Sequence, residues 1–91
     1  MDSNHLSYLN LAKREALKEL ASEIEARYFA FFRKHPEIDA TRESTDKLVM
    51  KYWRVVEIDN SLIGKVWSDS ELEEVTEEMK VLLKEAKELL A

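Results

Sequence analysis

The sequence predicts an all-α protein, three helices in an up-down-up bundle. Three observations carry that expectation. Apolar residues recur at intervals of three and four in three separate segments. Gly64 is the only glycine and Pro36 the only proline, too few turn residues for a sandwich or a barrel. The chain is 45% hydrophobic, enough to fold, and its 91 residues make one domain, taken as 1–91. A domain this small buries a limited share of its surface.

The first segment runs from about Ser3 to Lys34. Leu6, Leu9, Leu17, Leu20, Ile24, Tyr28 and Phe31 recur at helical spacing. Ser3 or Asn4 is suited to cap its start. Pro36 disfavours helical geometry at His35, so the helix should stop near Lys34 after roughly 45 Å. Within it, Tyr28, Phe29, Phe31 and Phe32 place four rings across about 160° of the helix surface. One neighbouring helix cannot cover that arc. Either two helices of the same chain flank it, or part of it meets another chain.

Residues 35–41 read as an extended or turning connection, with Asp39 or Thr41 as candidate caps for the second helix. The second segment runs from about Arg42 to Trp67. Leu48, Tyr52, Val55, Leu62, Ile63 and Val66 define its apolar face, and Asp59 falls near the centre of that face. An unpartnered buried carboxylate is costly. Three accounts of Asp59 remain open: a kink or restart that divides the second helix there, a buried hydrogen-bonded side chain, or a functional carboxylate. The sequence Asp59-Asn60-Ser61 is a good capping cluster, and Gly64 weakens the helix further on, which puts the kink first.

The third segment runs from about Asp69 to Ala91. Ser68 and Glu71 have the spacing of a capping box, and Trp67 and Leu72 that of a hydrophobic staple. Leu72, Val75, Met79, Leu82, Ala86 and Leu89 form a heptad seam, which Leu83 and Leu90 widen into a core-facing stripe. Acidic residues crowd the first half, and Lys80, Lys84 and Lys87 lie in the second, matching the helix dipole.

Charge narrows the function classes. The net charge is −5, but residues 27–54 carry seven basic and four acidic side chains, whereas residues 55–91 carry four and ten. An acidic balance disfavours non-specific nucleic-acid binding while leaving room for a local basic stripe. With no cysteine, disulfides, thiolate metal sites and a cysteine nucleophile are excluded. His5 and His35 lack the neighbours of a helical metal site, and a single glycine precludes a phosphate-binding loop or dinucleotide fingerprint. No metal or cofactor is expected. The absence of glutamine beside abundant Glu and Lys fits a thermophilic source and equally a merely Glu-rich helical protein. No signal peptide or membrane-length apolar run is seen, so the expectation is a cytoplasmic protein without membrane contact.

One all-helical enzyme class, the small chorismate mutases, has a similar length and clamps a dicarboxylate with several cations. Arg14, Arg27, Lys34, Arg42 and Glu43 could superficially supply such groups, but the expected arginine spacings do not follow. The run from Ile58 to Ile63 is similar to its first-helix pattern but lies in the second segment here. It supports no enzymatic assignment.

Two function classes lead, with an enzyme third. The first is a non-enzymatic interaction module, an accessory subunit, adaptor or regulator, whose partner is another protein or a second copy in a homodimer. Its expected anchors are Phe29, Phe32 and Trp53, because aromatic residues outside a core favour interfaces. The alternative is a nucleic-acid-associated protein. It would use Lys47, Lys51, Arg54 and Lys65 along the second helix and Arg33, Lys34 and Arg42 around the preceding connection.

Overall fold

The computed structural model describes residues 3–89, with side chains from Tyr8 onward. Three helices pack against one another: α1 spans Ser3–Lys34, α2 Lys47–Gly64 and α3 Asp69–Leu89. There is no strand among the described residues. The side chains of Ser3, Asn4, His5 and Leu6, and all of Leu90, lie outside the described residues, and with them the expected cap of α1.

Helix α1 packs against both of the others, while α2 and α3 approach each other at few points. The molecule is long and flat, 55 × 27 × 16 Å. Its radius of gyration is 14.8 Å, against about 12 Å for a compact domain of this length. The cause is unequal helix length. Asn10 Nδ2 donates to the Trp67 carbonyl at 2.8 Å, and Arg14 Nη1 to the Leu62 carbonyl at 3.3 Å, tying α1 to the turn between α2 and α3. The part of α1 before Asn10 therefore projects past that turn, and Tyr8 and Leu9 are exposed there.

The core is a strip from all three helices. Helix α1 contributes Leu17, Ala21, Ile24 and Tyr28, spaced four, three and four apart as an amphipathic helix requires. Helix α2 contributes Val55, Ile58 and Leu62, and α3 the seam Leu72, Val75, Met79, Leu82 and Ala86. Leu83 and Leu89 are half-buried beside that seam.

Each helix end has a local cause. Helix α1 stops before Pro36 with a tight turn in which His35 N–H donates to the Phe32 carbonyl. Helix α3 starts in the expected capping box: Glu71 N–H donates to Ser68 Oγ at 3.1 Å, and Ser68 N–H to Glu71 Oε1 at 2.9 Å. The Ser68 N–H bond to the carboxylate, aided by the Ser68 side chain, holds the Glu71 carboxyl below its usual value. Trp67 and Leu72 are both buried beside the box, where a staple places them. Ser68→Ala is expected to cost about 1 kcal/mol by thermal melting. An unchanged melt would mean that the core, not the cap, fixes the start of α3.

Helix α2 departs from expectation in three ways. It begins at Lys47, not Arg42, and its cap is Asp46, whose Oδ1 accepts from Leu48 N–H at 2.8 Å. Asp39 instead accepts from Thr41 N–H at 3.1 Å, closing a turn inside the connection. Second, the helix runs unbroken through Asp59 to Gly64, with Lys65 extended, so the expected kink is absent. Third, the buried face is turned. Ile58 belongs to it, while Ile63 is 73% and Val66 92% exposed. Val66 lies past the helix end, and Ile63 lines an open cleft with Asn10 and Arg14 of α1 without being buried there. Rotating the face toward Ile58 moves Asp59 from its centre to its edge.

Candidate docking groove

The three residues expected to anchor a partner come together. Phe29 and Phe32 on the last turns of α1, with Tyr52 and Trp53 on α2, line one groove of about 340 Å³ that Arg33 and Ala40 complete. The rings pack edge to face: Phe29 to Tyr52 with centroids 6.4 Å apart, Phe32 to Tyr52 at 5.6 Å, and Tyr52 to Trp53 at 5.1 Å. Edge-on contact suits the aromatic quadrupole. Tyr28, one residue from Phe29, turns inward and is fully buried. The 160° arc of rings is thus divided. Tyr28 is core, Phe32 is half-buried against it, and Phe29 stays 58% exposed. Phe31 lies outside the groove, packing on the His35 ring at 4.5 Å and on the Phe32 ring at 6.0 Å between centroids.

Trp53 is both a wall and a strut. Its Nε1 donates to the Ala40 carbonyl at 3.0 Å, and the Arg42 guanidinium lies 4.4 Å from its ring centroid. The indole thereby fixes the 35–46 connection against α2 and holds Ala40 at the groove. Tyr52 and Ala40 are groove residues that the sequence does not single out for this role. Tyr52 is legible only as a core-face residue, and Ala40 owes its place to how the connection folds.

The cations of the alternative reading separate into two groups. Lys51 pairs with Glu85 at 3.1 Å, and Arg54 grips Glu78 through Nε at 2.7 Å and Nη2 at 3.0 Å while also reaching Glu57 at 3.2 Å. Lys65 lies 3.7 Å from Glu71 and 4.3 Å from the Trp67 ring centroid. These three face the acidic helix α3 and join it to the rest of the molecule. Arg33, Lys34, Arg42 and Lys47 form no ion pair among the described residues; of these, Arg33 lines the groove and Arg42 lies against its Trp53 wall.

Asp59 sits apart from the groove, half-buried at the α1–α2 contact. Its Oδ1 accepts from Lys18 Nζ at 2.9 Å, and Glu25, also on α1, stands beside it. Glu25 Oε2 is buried and receives no donor from the protein apart from any proton it shares with Asp59. Burial first, then the hydrogen bond and charge of Asp59, raise Glu25 to about 7, and Lys18 only partly offsets this. Asp59 moves the other way. Burial pushes it up, but hydrogen bonds from Glu25 and Lys18 hold it below its usual value. Of the two carboxyls, Glu25 is therefore the one that keeps a proton toward neutral pH, and Asp59 the one that stays ionised beside Lys18. Lys18 and Glu25 have no signal in the sequence, because each lies one step off the core stripe of α1.

Among the described residues no three acidic or histidine side chains converge as a metal site, and no helix is long and apolar enough to cross a membrane. Comparison with protein-family models, with curated proteins and with solved structures finds no match to the chain.

Proposed function

We propose that the chain is a non-enzymatic docking module, an accessory subunit or adaptor, that buries the aromatic groove against a protein partner. The exposure of Phe29 carries this reading. A phenylalanine 58% exposed, set in a concave wall of three further rings, leaves apolar surface in water that a partner can cover. Covering it contributes about 1–2 kcal/mol from that one side chain, in the range of an interface anchor. The nucleic-acid reading is weakened by the pairing of Lys51, Arg54 and Lys65 with α3, since phosphate contacts draw on unpaired cations.

Phe29→Ser tests the reading, because Phe29 contributes little to the core while Trp53 holds the connection. The variant should keep its helical circular dichroism and a stability within about 0.5 kcal/mol of wild type. It should lose proteins that the wild-type chain retains from native lysate. Retention of the same proteins by both forms, or of none by wild type, would reject the groove as the docking surface.

A further inference from the structure

Charge around the groove is one-sided where a ligand would meet it. Arg33 forms part of the wall, and Arg42 lies over the Trp53 ring that forms another part. Neither is ion-paired within the protein among the described residues. The four carboxylates of the connection do not line the groove. Three are engaged locally: Glu37 with His35 at 3.3 Å, Asp39 with Thr41 N–H, and Asp46 at the α2 cap. Hydrogen bonds from Thr41 hold Asp39 below its usual value, fixing that charge in its turn.

The groove itself holds one bulky side chain and not a helix face. Its volume of about 340 Å³ is at the lower end for ligand sites. Its walls are four rings, the Ala40 methyl group and Arg33, with no carboxylate to repel an anion. An aromatic or large aliphatic side chain fits against Phe29 and Trp53. Guanidinium groups beside it favour carboxylates, which they bind in a paired fork geometry.

Resting on the docking reading, we infer that the groove accepts a short acidic segment of another protein, one bulky apolar side chain flanked by glutamate or aspartate. The apolar side chain supplies burial. The flanking carboxylates meet Arg33 and Arg42 at the rim, where they select the partner and speed encounter more than they add affinity. Segments with lysine or arginine beside the anchor are disfavoured by like charge. Within α3, Glu78 and Glu85 are not available to such a groove, because Arg54 and Lys51 already hold them.

Trp53 provides the readout, since its indole N–H bonds the Ala40 carbonyl at the groove. Its resonance in a nitrogen–proton spectrum is assigned by its loss in Trp53→Phe. The full chain is titrated with blocked peptides carrying one phenylalanine between glutamates, between lysines or between serines. The glutamate peptide should shift that resonance at about fivefold lower concentration than the lysine peptide at low salt, and the gap should close as salt rises. Arg33→Glu combined with Arg42→Glu should reverse the order, and Arg33→Glu alone should narrow it. Phe29→Ser should abolish the shift for every peptide. Equal action of the glutamate and lysine peptides would overturn the acidic partner and leave the docking reading standing. Failure of all three peptides would overturn both. If dilution of the chain alone moves the Trp53 resonance, and Val81→Ser on the exposed face of α3 stops this, the occupant is a second copy and the inference fails.

Discussion

Tyr28→Ala is expected to remove about 3–5 kcal/mol, close to the whole stability of the chain at the lower end of its range. A protein of this size has about 5–14 kcal/mol in total. Tyr28 is fully buried where α1 meets both partners, with Phe32 at 5.9 Å and Tyr52 at 6.1 Å between centroids. Truncation opens a ring-sized cavity that the flanking helices can only partly close, because the groove rings lean on the same contact. Tyr28→Phe should behave in the opposite sense. The hydroxyl is buried with no hydrogen-bond partner in the protein, and burial raises its pKa, aided by the charge of Glu85. Losing an unsatisfied hydroxyl should leave stability unchanged or raise it by up to about 1 kcal/mol. Urea unfolding monitored by circular dichroism separates the two. A Tyr28→Phe loss above about 1 kcal/mol would show that the hydroxyl is partnered after all.

The same residue shows why the fold is legible in the sequence and the surface less so. Tyr28 continues the spacing of Leu17, Ala21 and Ile24, so period alone places it in the core. Helix α3 is equally clear, since its cap, staple and seam are all encoded within a few residues of one another. Helix α2 is not. Leu48, Val49, Met50, Tyr52, Trp53, Val55, Val56, Ile58, Leu62 and Ile63 put apolar side chains on most of its circumference. Periodicity then leaves the buried face undetermined by one step, and it favours Ile63 where the structure buries Ile58. The start of α2 is equally open, because Asp39, Thr41, Ser44 and Asp46 can all cap. Which of them does so depends on how the connection packs against Trp53, a contact thirteen residues apart.

The candidate groove falls between these cases. The aromatic run announces a surplus, and helical spacing puts Trp53 off the core face. Their meeting in one concave site requires the angle between α1 and α2, which no local pattern encodes. The position of Asp59 signals a polar feature, but its partners lie on another helix. An apolar-face aspartate tells that something must satisfy it, without telling what.

That partner, Glu25, leads to the second large effect, a pH dependence of stability that Glu25→Gln should abolish. The Glu25 carboxyl titrates near 4.5 when unfolded and at about 7 in the folded protein. Between those values the folded chain holds a proton that the unfolded chain has released. Stability contributed by that proton is fully present below about 4.5, falls as pH rises through the window, and is gone above about 7. The Asp59 carboxyl works in the opposite direction. Its folded value is depressed, so its contribution is present at neutral pH and is lost only on strong acidification. Wild-type protein should therefore be most stable at mildly acidic pH and lose about 1–2 kcal/mol by pH 8, a figure reduced from full linkage because solvent reaches this half-buried pair. Glutamine keeps a donor for Asp59 and has no proton to lose. Glu25→Gln should match wild type near pH 5 and exceed it by the same 1–2 kcal/mol at pH 8, by urea unfolding at both pH values. Asp59→Asn tests the other half: with its charge gone, Glu25 loses the neighbour that helps to raise it, and the window should shift toward acid. Parallel stability curves for wild type and Glu25→Gln from pH 5 to 8 would show that the two carboxyls do not share a proton.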